Sequence, residues 1–247
     1  MIELVHIDIN VILAGDHVFW QGFALGSRAA LPIVLGYFPL GLAFGVLARD
    51  AGLNVVEAVA MSFLVFAGAG QYIAISLFKA GVDMIAIIAT TFLVNLRMLL
   101  MGMALQPKLK GWSKHKLAVI AAEITDETFV MASNHYEEHE PSWPFHLGLN
   151  MTSHFAWVCS SGLGAALGNL IHEPSRFGLN FALPAMFIAL LVGQVKNKIV
   201  FMAACGAGLT SLLAKMLIPG NWHVMLATVV GATLGVVIDQ WKGKSCS

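Results

Sequence analysis

Residues 121–133, AAEITDETFVMAS, set three carboxylates into an apolar stretch. Glu123, Asp126 and Glu127 are spaced i, i+3 and i+4, which on a helix puts them on one face. Like charges so placed repel, so at least one is expected to hold its proton more tightly than an isolated carboxyl. That is the chemistry of a proton carrier; acids simply hydrated at a membrane interface are the plainer alternative. An opposite charge lies in TTFLVNLRMLLMGMAL (90–105). Arg97 there is ~12 Å of helix rise from the end of its apolar run, farther than snorkelling alone covers. A guanidinium at that depth must be paired or wet, which makes it a functional group or a tie between helices. Asn95, two positions earlier, points to another face and shares it with Thr91.

Two further stretches have helix-weakening residues where binding chemistry is expected. FLVFAGAGQYIAISLF (63–78) interrupts its apolar run with Gly68, Gly70 and Gln71. The glycines permit close backbone approach or unwinding. Gln71, ~10 Å of rise from the end of the run, is placed to satisfy freed backbone groups or to meet a substrate. ALPIVLGYFPLGLAFGVLA contains Pro39, which cannot donate to the carbonyl four residues back. It is read either as a helix broken to line a substrate path or as a packing seam through the GxxxG pair Gly41 and Gly45.

Other motifs carry less. His135 to His139, HYEEH, matches an inverted zinc-peptidase pattern, but it is read as a short polar loop closed by Pro141 and Pro144, and no metal is expected. His154 lies in an apolar segment near Asn150, Thr152 and Ser153, as a packing histidine or a proton relay. Cys159, Cys205 and Cys246 form no disulfide framework.

The elements that must position these groups follow from composition. The chain has 247 residues, 58% hydrophobic and only 11% charged. Soluble domains carry roughly 25% charged residues. With a mean hydropathy of +0.78 and no net charge, a polytopic all-α membrane protein is expected and a nucleic-acid partner is not. Candidate spans are 29–48, 57–78, 84–105, 146–170, 179–195, 199–218 and 223–239, with a short eighth at 117–133. Seven to eight transmembrane segments would form a single transport domain over 29–240. An amphipathic segment, 1–28, precedes it and a short tail, 241–247, follows. Lys108, Lys110, Lys114 and Lys116 place 106–116 in the cytoplasm. The remaining lysines favour a non-crossing or broken 117–133, at the cost of an N-terminus outside. GLAFGVLARDAGLN, ending at Gly70-Gln71, is echoed by GAALGNLIHEPSRFGLN, ending at Gly193-Gln194, the pattern of two structural repeats with broken helices.

Several stretches in order resemble the AzlC family, the large subunit of bacterial branched-chain amino acid exporters of the YgaZ type. They are FWQGFALGSRAALPIVLGYFPLGLAFGVLA, FAGAGQ, FLVNLRMLLMG, TDETFVM, the WVCSSGLGAALG region and GLNFALPAMFIALL. The resemblance covers nearly the whole chain. It implies an inner-membrane exporter of leucine, isoleucine, valine and methionine, with a small four-helix AzlD-type partner and no cofactor. It supplies no residue-level mechanism, and His154 is unusual for the family. The candidate substrate or coupling residues therefore rest on the reading above: Pro39, Gly68, Gly70, Gln71, Asn95, Arg97, Asp126 and Glu127. With no ATP-binding motif, the energy is expected to come from an ion gradient, protons foremost. An intramembrane enzyme and a purely structural membrane subunit are the rival classes.

Overall fold

The computed structural model describes residues 9–171 without a break, with side chains from His17 on. Beyond that it describes scattered positions to 195, helix 198–217 and parts of 227–238. The second glycine–glutamine pair, Gly193-Gln194, and the tail 241–247 lie outside the described residues, as do parts of the candidate spans 179–195 and 223–239. The chain divides into two units, Met1–Leu183 and Pro184–Ser247.

The first unit is helical throughout its described elements. They are α1 (Ile9–Ala29), α2 (Leu31–Asp50), α3 (Val55–Val65), α4 (Gly68–Lys79), α5 (Met84–Leu105), α6 (Lys114–Ala122), α7 (Asp126–Glu138) and α8 (Trp143–Leu167). Local chemistry sets their ends. Asn54 and Glu57 form a capping box at the start of α3, and Asp83 accepts from the N–H groups of Ile85 and Ala86 at the start of α5. Gly52 (φ 98°) and Gly81 (φ 71°) close α2 and α4 in the left-handed conformation. The next residues then bond back into the last turn, Leu53 to Ala48 and Val82 to Leu77.

Among the described residues, three helices are long and apolar enough to cross a bilayer: Leu31–Asp50, α5 with the turn that follows it (Met84–Leu109), and α9 (Lys198–Leu217) in the second unit. α5 presents Ile85, Ile88, Phe92, Leu99, Leu100 and Met103 outward, as a lipid-facing helix does. In the second unit α9 packs on 227–238 by small residues, with Gly231 against Ala207 and Gly206 against Leu234.

α8 is the centre of the first unit. It carries buried Asn150, Ser153, Ser160 and Ser161, and the three serines bond carbonyls one turn back on their own helix. Its neighbours approach through glycines. A methyl on Gly45 would lie 2.1 Å from the Ser161 carbonyl oxygen, and one on Gly164 2.1 Å from that of Leu42. Gly26 and Gly148 stand the same way against the carbonyls of Phe145 and Phe23, joining α1 to α8. The GxxxG of α2 is therefore a packing seam. The expected break at Pro39 is absent: α2 runs through it, and Pro39 lies on the exposed face away from α8.

The breaks fall elsewhere. The candidate span 57–78 is two helices, parted at Phe66 (φ 40°) and Ala67. The candidate 117–133 is also two, parted at Glu123–Thr125. Thr125 ends the first piece by starting the second, since it forms a capping box with Thr128.

Candidate functional site

Both breaks lie against the same neighbours. Phe66, at the first break, packs on Tyr37 of α2 at 6.4 Å between ring centroids and stacks on His154 of α8 at 4.2 Å. At the second break, the Tyr37 hydroxyl lies 2.8 Å from both Thr125 Oγ1 and Glu127 Oε2. His154 Nδ1 lies 2.8 and 3.0 Å from the two carboxylate oxygens of Glu123. Trp157, one turn along α8 from His154, meets Tyr37 edge-on at 5.3 Å and packs beside Gly68.

The three acids thus do not share a helical face. Glu123 ends α6, whereas Asp126 and Glu127 begin α7. Each has its own partner. Asp126 accepts a hydrogen bond from Arg97 Nη1 at 3.0 Å, and its other oxygen pairs with Arg97 Nη2 at 2.8 Å, a two-point ion pair. Glu127 takes Tyr37 and Glu123 takes His154. Asp126 and Glu127 also occupy the first turn of α7, where the helix dipole favours negative charge.

The AGAGQ stretch opens α4. Its N-cap, Ala67, provides no side-chain cap, and the first helical bond runs from the Gln71 N–H to the Ala67 carbonyl. The N–H groups of Gly68, Ala69 and Gly70 precede that bond and have no carbonyl four residues back to meet within the helix. Gly70 leaves room for Asn95, whose amide would lie 2.9 Å from an added methyl. Asn95 Oδ1 is buried without a hydrogen-bond partner. Gln71 is fully buried. Its Oε1 accepts from the Trp157 indole N–H at 2.9 Å, and its Nε2 donates to Ser62 of α3 at 3.2 Å. Gln71 is therefore a strut that fixes the two halves of the broken span to α8.

Of the eight candidate residues, then, Gly68, Gly70, Gln71 and Asn95 meet around the start of α4, and Arg97, Asp126 and Glu127 meet at the start of α7. Both groups join through α2 and α8. Pro39 belongs to neither. Residue-type reasoning missed Tyr37, Phe66, Thr125 and Trp157. A signal existed for Thr125, a capping threonine directly before an acidic pair. HYEEH is not a loop but the last turn of α7, where His135 stacks on His139 at 4.4 Å and on Phe145 at 3.8 Å. Burial, with His139 beside it, pulls His135 below the ordinary imidazole value. No third ligand joins the two imidazoles among the described residues.

The charge pair at the start of α7 and the capless start of α4 are thus joined through Tyr37 and Trp157, whose rings meet at 5.3 Å. The sequence comparisons bear on what uses this arrangement. The family model described as AzlC protein matches residues 32–171. The chain is 29% identical to the branched-chain amino acid transport protein AzlC of Bacillus subtilis, over 93% of this chain and 89% of the relative. It is 28% identical to the inner membrane protein YgaZ of Escherichia coli, over 90% and 92%. It is 33% identical to an uncharacterized membrane protein of Archaeoglobus fulgidus, over 90% and 96%. No solved structure matches it. The family match runs from the start of α2 to the end of α8 and so takes in both breaks and every partner named at them; the chain is a multi-pass membrane protein of the AzlC family.

Proposed function

We propose that this chain is the large subunit of an inner-membrane exporter of branched-chain amino acids, a non-enzymatic secondary transporter driven by protons. Its substrates are leucine, isoleucine and valine, with methionine as a fourth. The observation that carries the reading is the meeting of two broken helices at Tyr37 and His154, with the Arg97–Asp126 pair at the start of the second. A zwitterionic amino acid needs a place for its carboxylate, one for its ammonium and an apolar pocket. The uncapped start of α4 offers N–H groups and a positive helix end to the carboxylate. Asp126 and Glu127 face the ammonium, with Arg97 neutralising the first when substrate is absent. Phe66, Tyr37 and Trp157 supply the apolar wall. The Bacillus relative's name gives the substrate class.

Seven to eight crossings in two repeats complete the proposed topology, and an AzlD-type four-helix subunit completes the transporter. The test is counterflow of labelled leucine, valine and methionine in vesicles, with and without the small subunit. Uptake against unlabelled leucine only when both subunits are present supports the reading; full leucine flux from this chain alone removes the partner. An assembled complex that moves none of the three amino acids refutes the substrate class.

A further inference from the structure

Asp126 and Glu127 are engaged with Arg97 and Tyr37, which leaves the third acid of the cluster for another task. We propose that Glu123 and His154 form the site that takes up and releases the coupling proton, and that its charge state controls how firmly the two helix breaks are held together. This rests on the transport reading above.

Glu123 is the residue at which α6 stops. His154 sits on continuous α8, and its ring lies on Phe66, with an interplanar angle of 15°, and near Phe63 at 5.5 Å. Phe66 holds a left-handed backbone that a bulky L-residue adopts only when its surroundings enforce it. The imidazole is thus, with Tyr37, a direct link between one break and the other: carboxylate on one side, strained phenylalanine on the other.

The hydrogen-bonding pattern defines the chemistry. With Nδ1–H donated to Glu123, the free lone pair is on Nε2, and Nε2 is buried with no partner. A proton reaching Nε2 makes an imidazolium beside a carboxylate, a pair with no net charge. An imidazolium also gains from the ring faces of Phe66 and Phe63. When that proton leaves, the carboxylate charge stands uncompensated, and the cation that the Phe66 and Phe63 faces favour is gone. The stack and the pair weaken together, and the first break loosens from the second. Asn150, one helical turn before His154 on the same face of α8, is 2% exposed and its Oδ1 also lacks a partner. Two orphan polar atoms one turn apart mark the point where a water molecule reaches the imidazole.

Among the groups on the elements packed against α8, Glu123 is the charged one in contact with His154. Tyr37 on α2, and Asp126 and Glu127 on α7, are engaged with one another, Thr125 and Arg97. Arg28, Glu57 and the α6 residues Lys114, His115 and Lys116 occupy helix ends, as do His135, Glu137 and Glu138 of α7.

The test uses the full chain in lipid nanodiscs with ring-labelled histidine, the His154 signal being assigned by its loss in His154→Gln. Its chemical shift should titrate in one step, and Glu123→Gln should move the midpoint by about one unit or more. A His154 signal that does not titrate, or one whose midpoint ignores Glu123→Gln, overturns the proposal without any transport measurement. In vesicles, leucine efflux driven by a pH gradient should fall about tenfold or more in His154→Gln and in Glu123→Gln. Undiminished driven efflux in both variants also overturns it. Absence of leucine counterflow by the unmodified complex refutes the transport reading instead, and the titration then decides the proton site alone.

Discussion

Replacing Gln71 by leucine separates a strut from a ligand. Gln71, Trp157 and Ser62 are all at most 2% exposed, and the amide spends both ends inside the protein. Leucine is of similar volume, so the loss is one of hydrogen bonding. The indole N–H of Trp157 is left without an acceptor, and orphaning one buried donor costs about 1–3 kcal/mol. For a chain of this size that lowers the unfolding midpoint by roughly 2–12 °C. Trp157→Phe removes the donor, leaves Gln71 Oε1 unpaired and opens space beside Gly68, so it costs more. In the double variant neither end of the bond is orphaned. The two single losses should therefore overshoot the double loss by about 1–2 kcal/mol. Thermal unfolding of the four proteins in one detergent measures this coupling. Additive losses, with coupling under about 0.5 kcal/mol, refute the reasoning. So does Gln71→Leu with unaltered stability and weakened leucine binding, which would put the amide against substrate.

The remaining expectations concern the seam, the ion pair and the histidine turn. Gly45→Ala brings a methyl 2.1 Å from the Ser161 carbonyl, so α2 and α8 must part by ~1.3 Å and stability should drop by about 1–3 kcal/mol. Gly36→Ala, with nothing within 4 Å, should be neutral or stabilising by up to ~1 kcal/mol; thermal unfolding of both checks the contrast. Arg97→Ala and Asp126→Ala should each lower leucine efflux about tenfold or more, while the double variant recovers protein level but not efflux, as read by transport and immunoblot. Undiminished efflux in Arg97→Ala refutes its place in the site. His135→Ala should cost ~1 kcal/mol through lost stacking on Phe145, and His139→Ala should leave counterflow within about twofold. Chelator-sensitive transport that both variants abolish would restore the metal reading of HYEEH.

The helical membrane class was legible because composition decides it, and α5 and α8 fall close to their apolar runs. The breaks were only half legible. The AGAGQ glycines point to the right turn of chain, but α4 begins at Gly68, and the left-handed residue is bulky Phe66, which no propensity selects. The i, i+3, i+4 spacing of the acids was misleading because it presumes the helix that Thr125 interrupts. Pro39 did not break its helix: α2 runs through it, with Pro39 on an exposed face. Pairings such as Glu123 with His154, 31 residues apart, depend on how helices cross, and spacing along the chain says nothing of that.

The glycine seam has a consequence for how the protein is made. Ser27 meets Gly148 and Tyr37 meets Ser160 across 121 and 123 residues of chain. At ~5–20 residues per second of synthesis, α1 and α2 wait on the order of 6–24 s before α8 exists to cover their small-residue faces. During that interval the nascent chain has seams without mates, and α5, which needs no such cover, already lies in lipid. A chain that stops before Trp143 keeps those faces open permanently, and membrane quality control has an exposed glycine stripe by which to recognise it.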